Sequence, residues 1–362
     1  MVFVPTVNSR LFLLIALFLS WGGAQEGITF GYLEGRITET VGEKAFVQLN
    51  DGRLIEAELG TDPYNETGLP PFKAGERVEV YYSPGPDGNT RYAVADWVRR
   101  PALLGLVALF LVISVAVARF KGLRAFVSTA VSLVIVVGFI VPRILDGWHP
   151  VFVSLLGVGG ILVLAIYFVH GLNWSTTAAL LGTFAAVLMT MLLGLAFTRW
   201  AHLTGFGSEE AMMISFGASQ VNLQGLLLAG LLVGALGALT DITIVQASVV
   251  RELAHVNPTL GLGELYRRGM NVGLDHIGSL VNTLVLAYTG AALPLFLLLS
   301  LNEVPLSRAL NLELVASEVV HTLVGSIGLI LAVPFTTLLA ALMFRGDALP
   351  LAEGELEHGH SH

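Results

Sequence analysis

The sequence predicts a polytopic α-helical membrane protein of about seven transmembrane helices, with a small antiparallel β-barrel domain, OB-like in size, near its N-terminus. Three observations carry that expectation. Of 362 residues, 54% are hydrophobic and only 13% charged, with a mean hydropathy of +0.76; an ordinary soluble domain carries about 25% charged residues. Apolar runs near the ~20 residues that cross a bilayer recur from Pro101 onward. Between residues 28 and 98 the texture changes to short alternating runs broken by turn signals.

The chain opens with NSRLFLLIALFLSWGGAQEG, in which Arg10 precedes a short apolar run and Gly22-Gly23-Ala24 resembles a small-residue cleavage site. That is the pattern of a secretory signal peptide, with an uncleaved anchor as the alternative, and residues 1–24 are assigned to it. The next segment, 25–100, is then expected to be exported. Its Asn50-Asp51-Gly52 and Pro84-Gly85-Pro86-Asp87-Gly88 stretches are turn signals between about five strands, a barrel's worth.

Seven spans are expected at about 102–119, 123–142, 151–170, 176–198, 223–248, 274–299 and 314–344, within a transmembrane domain at 101–346. Arg119, Lys121, Arg124, Arg251, Arg267, Arg268 and Arg345 all fall on one side when the spans alternate. The positive-inside rule makes that side cytoplasmic, which agrees with an exported segment at 25–100 and places the tail at 347–362 in the cytoplasm. Ser208 and the acidic pair Glu209-Glu210 predict a short helix before the fifth span.

The first four spans are poor in polar groups; Gly157, Gly159, Gly160 and Gly182 suit close helix packing. Chemistry concentrates in the last three. In the fifth, Gly230, Gly234, Gly237 and Asp241 share one face, so Asp241 is expected to look into the bundle. In the sixth, Asn271, Asp275, Ser279 and Asn282 share another, and the antiparallel arrangement puts Asp275 at a depth similar to Asp241. In the seventh, Glu318 and His321 are one turn apart, and Pro334 frees a carbonyl that Thr336 or Thr337 would satisfy. An ionisable residue inside a span is a functional hypothesis by default. Two reciprocal readings stand: a cation or proton site at Asp241 and Asp275, or carboxylates that tie helices together through Asn271 or Asn282.

Composition excludes other chemistry. There are no cysteines, hence no disulfides, thiolate catalysis or Cys-bound zinc. No basic run with interleaved aromatics suits nucleic acid. No nucleophile–base pair, nucleotide loop or cofactor ligand set stands out, so neither an enzyme nor a cofactor is expected. The histidines of GELEHGHSH sit in an acidic tail and read as solvated.

The stretches GLLLAGLLVGALGALTDITIVQASVVREL, GMNVGLDHIGSLVNTLVLAYTGAALPL and LVGSIGLILAVPFTTLLAA resemble, in order, three C-terminal signatures of the YibE/F-like membrane proteins. Asp241, Asp275 and Asn282 match polar positions of that family, whereas Leu274 and His321 stand where arginines often occur. The resemblance implies a bacterial cytoplasmic (inner) membrane protein and names no substrate. The expected function is transport of a small ion or solute along Asp241, Asp275, Asn282, Asn271 and Ser279, with Glu318 and His321 as an outer relay. The alternative is a scaffold whose β-domain binds an envelope partner. Partners are the lipid bilayer, the ion or solute, and a second copy of the chain or that envelope protein.

Overall fold

The computed structural model describes residues 30–59, 72–85, 89–218 and 220–345; the expected leader at 1–24 and tail at 347–362 lie outside the described residues, as do Pro86, Asp87 and Gly88. The described residues fall into two compact units divided after Phe110.

The first unit holds β1 (Gly31–Val41), β2 (Lys44–Leu49), β3 (Leu54–Leu59), β4 (Arg77–Pro84) and β5 (Thr90–Trp97), closed into a barrel in the order β1-β2-β3-β5-β4. Alternation drives it: in β2, Ala45, Val47 and Leu49 are buried while Lys44 and Gln48 are exposed. These side chains meet Ile37, Ala57, Val78, Val80 and Val94 in the barrel core. Strand β1 pairs with β4 through Gly31–Arg36 and with β2 through Gly35–Val41, bending at an irregularity between Ile37 and Glu39. The expected Asn50-Asp51-Gly52 hairpin is present: Gly52 has φ 87°, and the Arg53 amide donates to Asp51 Oδ1 at 3.0 Å.

The expectation of a wholly antiparallel barrel needs one correction. Strands β3 and β5 run parallel, pairing Glu58 with Ala93 and Leu59 with Val94. A closed ring of five strands cannot alternate direction all the way round, so one neighbouring pair has to be parallel.

The helices are α1 (Arg100–Ile135), which continues through a π-turn at Val136–Ile140 into α2 (Val141–Leu145), then α3 (Pro150–His170), α4 (Trp174–Trp200), α5 (Glu209–Gly217), α6 (Leu223–Val256), α7 (Leu262–Ala291), α8 (Leu293–Leu301), α9 (Leu306–Ala309) and α10 (Glu313–Phe344). Among the described residues five helical stretches are long and apolar enough to cross a membrane: Arg100–Leu145, Pro150–His170, Trp174–Trp200, Leu223–Val256 and Glu313–Phe344. A sixth is the pair α7 and α8, bent by 55° at their junction. The first stretch is two helices merged across a kink at Arg119, where φ is 51° and ψ −131°. Chain direction reverses sharply there, because a Cβ added at Gly122 would lie 2.1 Å from the Ser114 carbonyl oxygen. Eight residues of straight helix would separate them by about 12 Å.

The core of the helical unit joins Ile161, Leu162 and Ile166 of α3, Ala186 and Val187 of α4, Leu236 and Leu239 of α6, and Leu329 and Val333 of α10. Glycines set the closest approaches: a Cβ at Gly182 would lie 2.9 Å from the Thr336 Cα, and one at Gly157 2.5 Å from Ile140 Cδ1. Gly159 and Gly160 face open space instead. Helix α5 is the expected short helix, capped by Ser208, whose Oγ accepts from the Ala211 amide at 3.2 Å.

Connections gather at two ends. At one, Gln220 donates to the Leu145 carbonyl, Gln224 to the Leu203 carbonyl, and the Glu313 carboxylate accepts from the Thr204 and Gly205 amides at 2.7 and 2.6 Å. At the other, Lys121, the α3–α4 turn and the last part of α6 surround a common pocket.

Candidate functional site

Helix α6 starts at Asn222, whose Oδ1 accepts from the Gly225 amide at 2.8 Å. Its packed side is built from Leu231, Leu232, Ala235, Leu236, Leu239 and Ile242. Gly230, Gly234, Gly237 and Asp241 share one face as the spacing implies, but that face is exposed. The expected inward orientation of Asp241 is therefore corrected. A glycine has no side chain to bury, so the leucine- and alanine-rich side wins the core. A Cβ at Gly230 or Gly237 would meet nothing within 4 Å, and one at Gly234 would meet the Tyr288 hydroxyl at 2.7 Å. Among the described residues Asp241 makes no hydrogen bond or ion pair, with Asp275 or with any other group.

Helix α7 repeats the lesson. Asn271, Asp275, Ser279 and Asn282 do form one face, and all four are exposed. The opposite face is the packed one: at Gly269 a Cβ would touch Thr337 and Val250 at 2.9 Å, and at Gly273 it would touch Val333 at 2.5 Å. The reading in which Asp241 is held by Asn271 or Asn282 has no hydrogen bond behind it among the described residues.

The expected outer pair, Glu318 and His321, lies one turn apart on α10 with no hydrogen bond between the two side chains among the described residues. The His321 Nε2 donates to the Leu227 carbonyl of α6 at 3.1 Å. Glu318, one turn away, acts electrostatically on both His321 and Tyr288. With Tyr288, Thr289, Phe296 and Thr322, Glu318 lines a mostly apolar, partly open pocket of about 180 Å³. Tyr288 thus reaches from α7 to the glycine face of α6 and to Glu318. Sequence reading passed over it, because a tyrosine near a helix end carries no pattern of its own.

Gln246 is the buried polar centre of the bundle. Its Nε2 donates to the Gly269 carbonyl at 2.8 Å and to Thr337 Oγ1 at 2.7 Å, joining α6, α7 and α10. Thr337 in turn donates to the Val333 carbonyl at 2.7 Å, beside Pro334, which α10 absorbs without ending. The carbonyl that Pro334 frees is that of Ile330, four residues back, so the expected threonine compensation is corrected: Thr337 bonds Val333 instead, and Thr336 is buried with its hydroxyl unpaired. Thr183 and Thr243 add a 2.6 Å hydroxyl contact between α4 and α6.

Toward the other end of α6, Ser248 and Arg251 line a second, largely polar pocket with Lys121, His170, Asn173, Ser175 and Thr176. His170, at the C-terminal end of α3, forms part of the wall of that pocket. Among the described residues no group of three or more His, Asp or Glu side chains is placed to hold a metal.

A family model described as YibE/F-like protein matches residues 106–346, most of the chain. No curated protein and no solved structure matches.

Proposed function

The chain belongs to the YibE/F-like family, and from that premise we propose that it is a membrane transporter or channel for a small ion or solute, coupled to a cation or proton through Asp241. The observation that carries this reading is the open face of α6. From Gly230 to Ser248 it runs roughly 27 Å, close to the ~30 Å hydrocarbon thickness. Small residues leave it free of bulk, Asp241 stands part-way along it, and a pocket lies toward each end. A carboxylate facing hydrocarbon costs at least about 2.5–3.5 kcal/mol, so water or protein must reach Asp241. His170 at one side and the Tyr288–Glu318–His321 group at the other supply exchangeable protons along the same helix. The exposed Asn271–Asp275–Ser279–Asn282 face of α7 needs cover for the same reason, which supports a second copy of the chain closing the open side.

The break at Arg119 supports counting Arg100–Leu145 as two spans and the α7–α8 pair as one, seven in all. A single span of 46 residues would be about 69 Å long. The basic residues then put Lys121, Arg251, Arg267 and Arg268 in the cytoplasm and the barrel outside the bacterial inner membrane. The strand order, with β1 paired on both sides, supports an OB-like barrel.

Proteoliposomes under a pH gradient test the site. Asp241→Asn is expected to abolish coupled flux, and Asp275→Asn to reduce it, with thermal midpoints within a few degrees of wild type. Wild-type flux in both variants would remove these carboxylates from the path. A second reading, a scaffold whose barrel binds an envelope partner, is favoured by the exposed Phe30 and Tyr32, whose ring centroids lie 6.3 and 5.5 Å from that of the half-buried Tyr81. A Tyr32→Ala variant that loses its cellular phenotype while keeping full flux would favour it.

A further inference from the structure

We infer that the pocket bounded by Lys121, the α3–α4 turn and the end of α6 binds a phosphate-class oxyanion. This goes beyond the transport reading and does not depend on it. The pocket is a partly open cleft of about 280 Å³, room for a phosphate.

Its walls are donors. Lys121 makes no hydrogen bond or ion pair among the described residues, so a full positive charge faces the cavity without a partner. Arg251 bonds Glu252 through Nη2 at 3.2 Å, yet its Nε is buried and unpaired. Among the described residues no carboxylate lines the cavity: Glu252 belongs to the Arg251 pair, and Asp241 sits about two turns from Ser248. A cation would therefore meet two like charges there, and an anion two opposite ones.

Ser175 is the observation that points to a ligand. It is only 5% exposed, lines the cavity, and has no hydrogen-bond partner among the described residues. On the same wall the Arg251 Nε is fully buried and also lacks a partner, so two donors at the cavity are left for a bound oxyanion to satisfy. Neighbouring polar groups are not free in this way. Asn173 Oδ1 accepts from the Thr176 amide at 2.9 Å, and Thr176 Oγ1 donates to the Gly171 carbonyl at 2.8 Å. This capping box fixes the first turn of α4, so Ser175 and the positive end of the α4 dipole are held toward the cavity. Ser248 adds a further uncommitted hydroxyl from α6.

Tetrahedral oxyanions accept several hydrogen bonds at once and donate few, which matches a cavity of ammonium, guanidinium and hydroxyl donors. The same chemistry is offered by a free phosphate or phosphorylated solute and by an anionic lipid headgroup. Both sources can be tried on the full-length protein: inorganic [³²P]phosphate binding in zwitterionic detergent, and native mass spectrometry from nanodiscs of phosphatidylglycerol against phosphatidylcholine. Lys121→Gln and Ser175→Ala are expected to weaken binding by about tenfold or more, the size of one charge-assisted hydrogen bond. The ligand-free thermal midpoint of Lys121→Gln should stay unchanged, since Lys121 is exposed. Saturable phosphate binding identifies a free phosphate, and retention of phosphatidylglycerol without phosphate binding identifies a headgroup; either supports the site if both variants reduce it. Binding of neither, or binding that Lys121→Gln, Ser175→Ala and Arg251→Gln all leave intact, overturns it.

Discussion

Gly182→Ala tests how closely the bundle is packed. Gly182 lies on α4, where an added Cβ would sit 2.1 Å from Thr336 Oγ1 and 2.9 Å from both Thr336 Cα and Cβ. The hydroxyl can rotate away, but the Cα belongs to the backbone of α10. Restoring ordinary contact requires α4 and α10 to part by roughly half an ångström or more, and a 0.5–1 Å gap forfeits about a quarter to a half of the dispersion attraction across it. This is the most extensive helix pair in the unit. Overpacking costs about 1–3 kcal/mol, partly offset by the ~0.5–1 kcal/mol that alanine gains over glycine in a helix. A net loss of about 1–2 kcal/mol should lower the midpoint by about 2–8 °C in a detergent melt. Gly237→Ala is the control, since nothing lies within 4 Å of its added Cβ; it should melt at or slightly above wild type. If Gly182→Ala melts with or above wild type, or Gly237→Ala falls as far, the assignment of packed and open glycines is wrong.

Other expectations follow from single contacts. Gln246→Leu removes two interhelical hydrogen bonds, each worth about 0.6 kcal/mol on average in membranes, so the same melt should show a loss of about 1–2 kcal/mol; no change would mean that the bonds are not formed in the bilayer. Gly122→Ala drives a methyl into the Ser114 carbonyl, so it should open the turn at Arg119 and speed protease cleavage there, and wild-type cleavage would argue for a looser reversal. In the barrel, Trp97 Nε1 donates to Glu76 at 2.8 Å and the Lys73 amide at 3.0 Å, which hold the Glu76 carboxyl below the usual carboxylate range. With the folded value depressed, this contribution is present above about pH 4.3 and is lost as pH falls below it. Followed by barrel proteolysis, wild type should therefore lose stability steeply between pH 5 and 3, whereas Glu76→Gln, already less stable at pH 7, should change less over that window; equal pH dependence in the two would remove Glu76 from the account.

Much of the architecture was legible in the chain, because hydropathy, alternation and turn chemistry are local. The Asn50-Asp51-Gly52 hairpin, the Ser208 cap and the long apolar helices all rest on residues within a turn or two of each other. Face membership was legible too: Gly230, Gly234, Gly237 and Asp241 do share a side of α6, as Asn271, Asp275, Ser279 and Asn282 do of α7. Which side turns inward was not. Period alone leaves an α6 with two apolar sides, one of glycines and one of leucines, and only packing against α3, α4 and α10 chose the leucines. The β3–β5 parallel pair likewise follows from closing the ring, a property of five strands together. Lys121, His170, Ser175, Ser248 and Arg251 come from three distant stretches that share no local pattern. The sequence by itself determined a membrane-crossing bundle with an appended barrel and a carboxylate on a smooth helix face. Only the tertiary structure decided that this face is open and that donors gather near its end, since both depend on which surfaces compete best for burial.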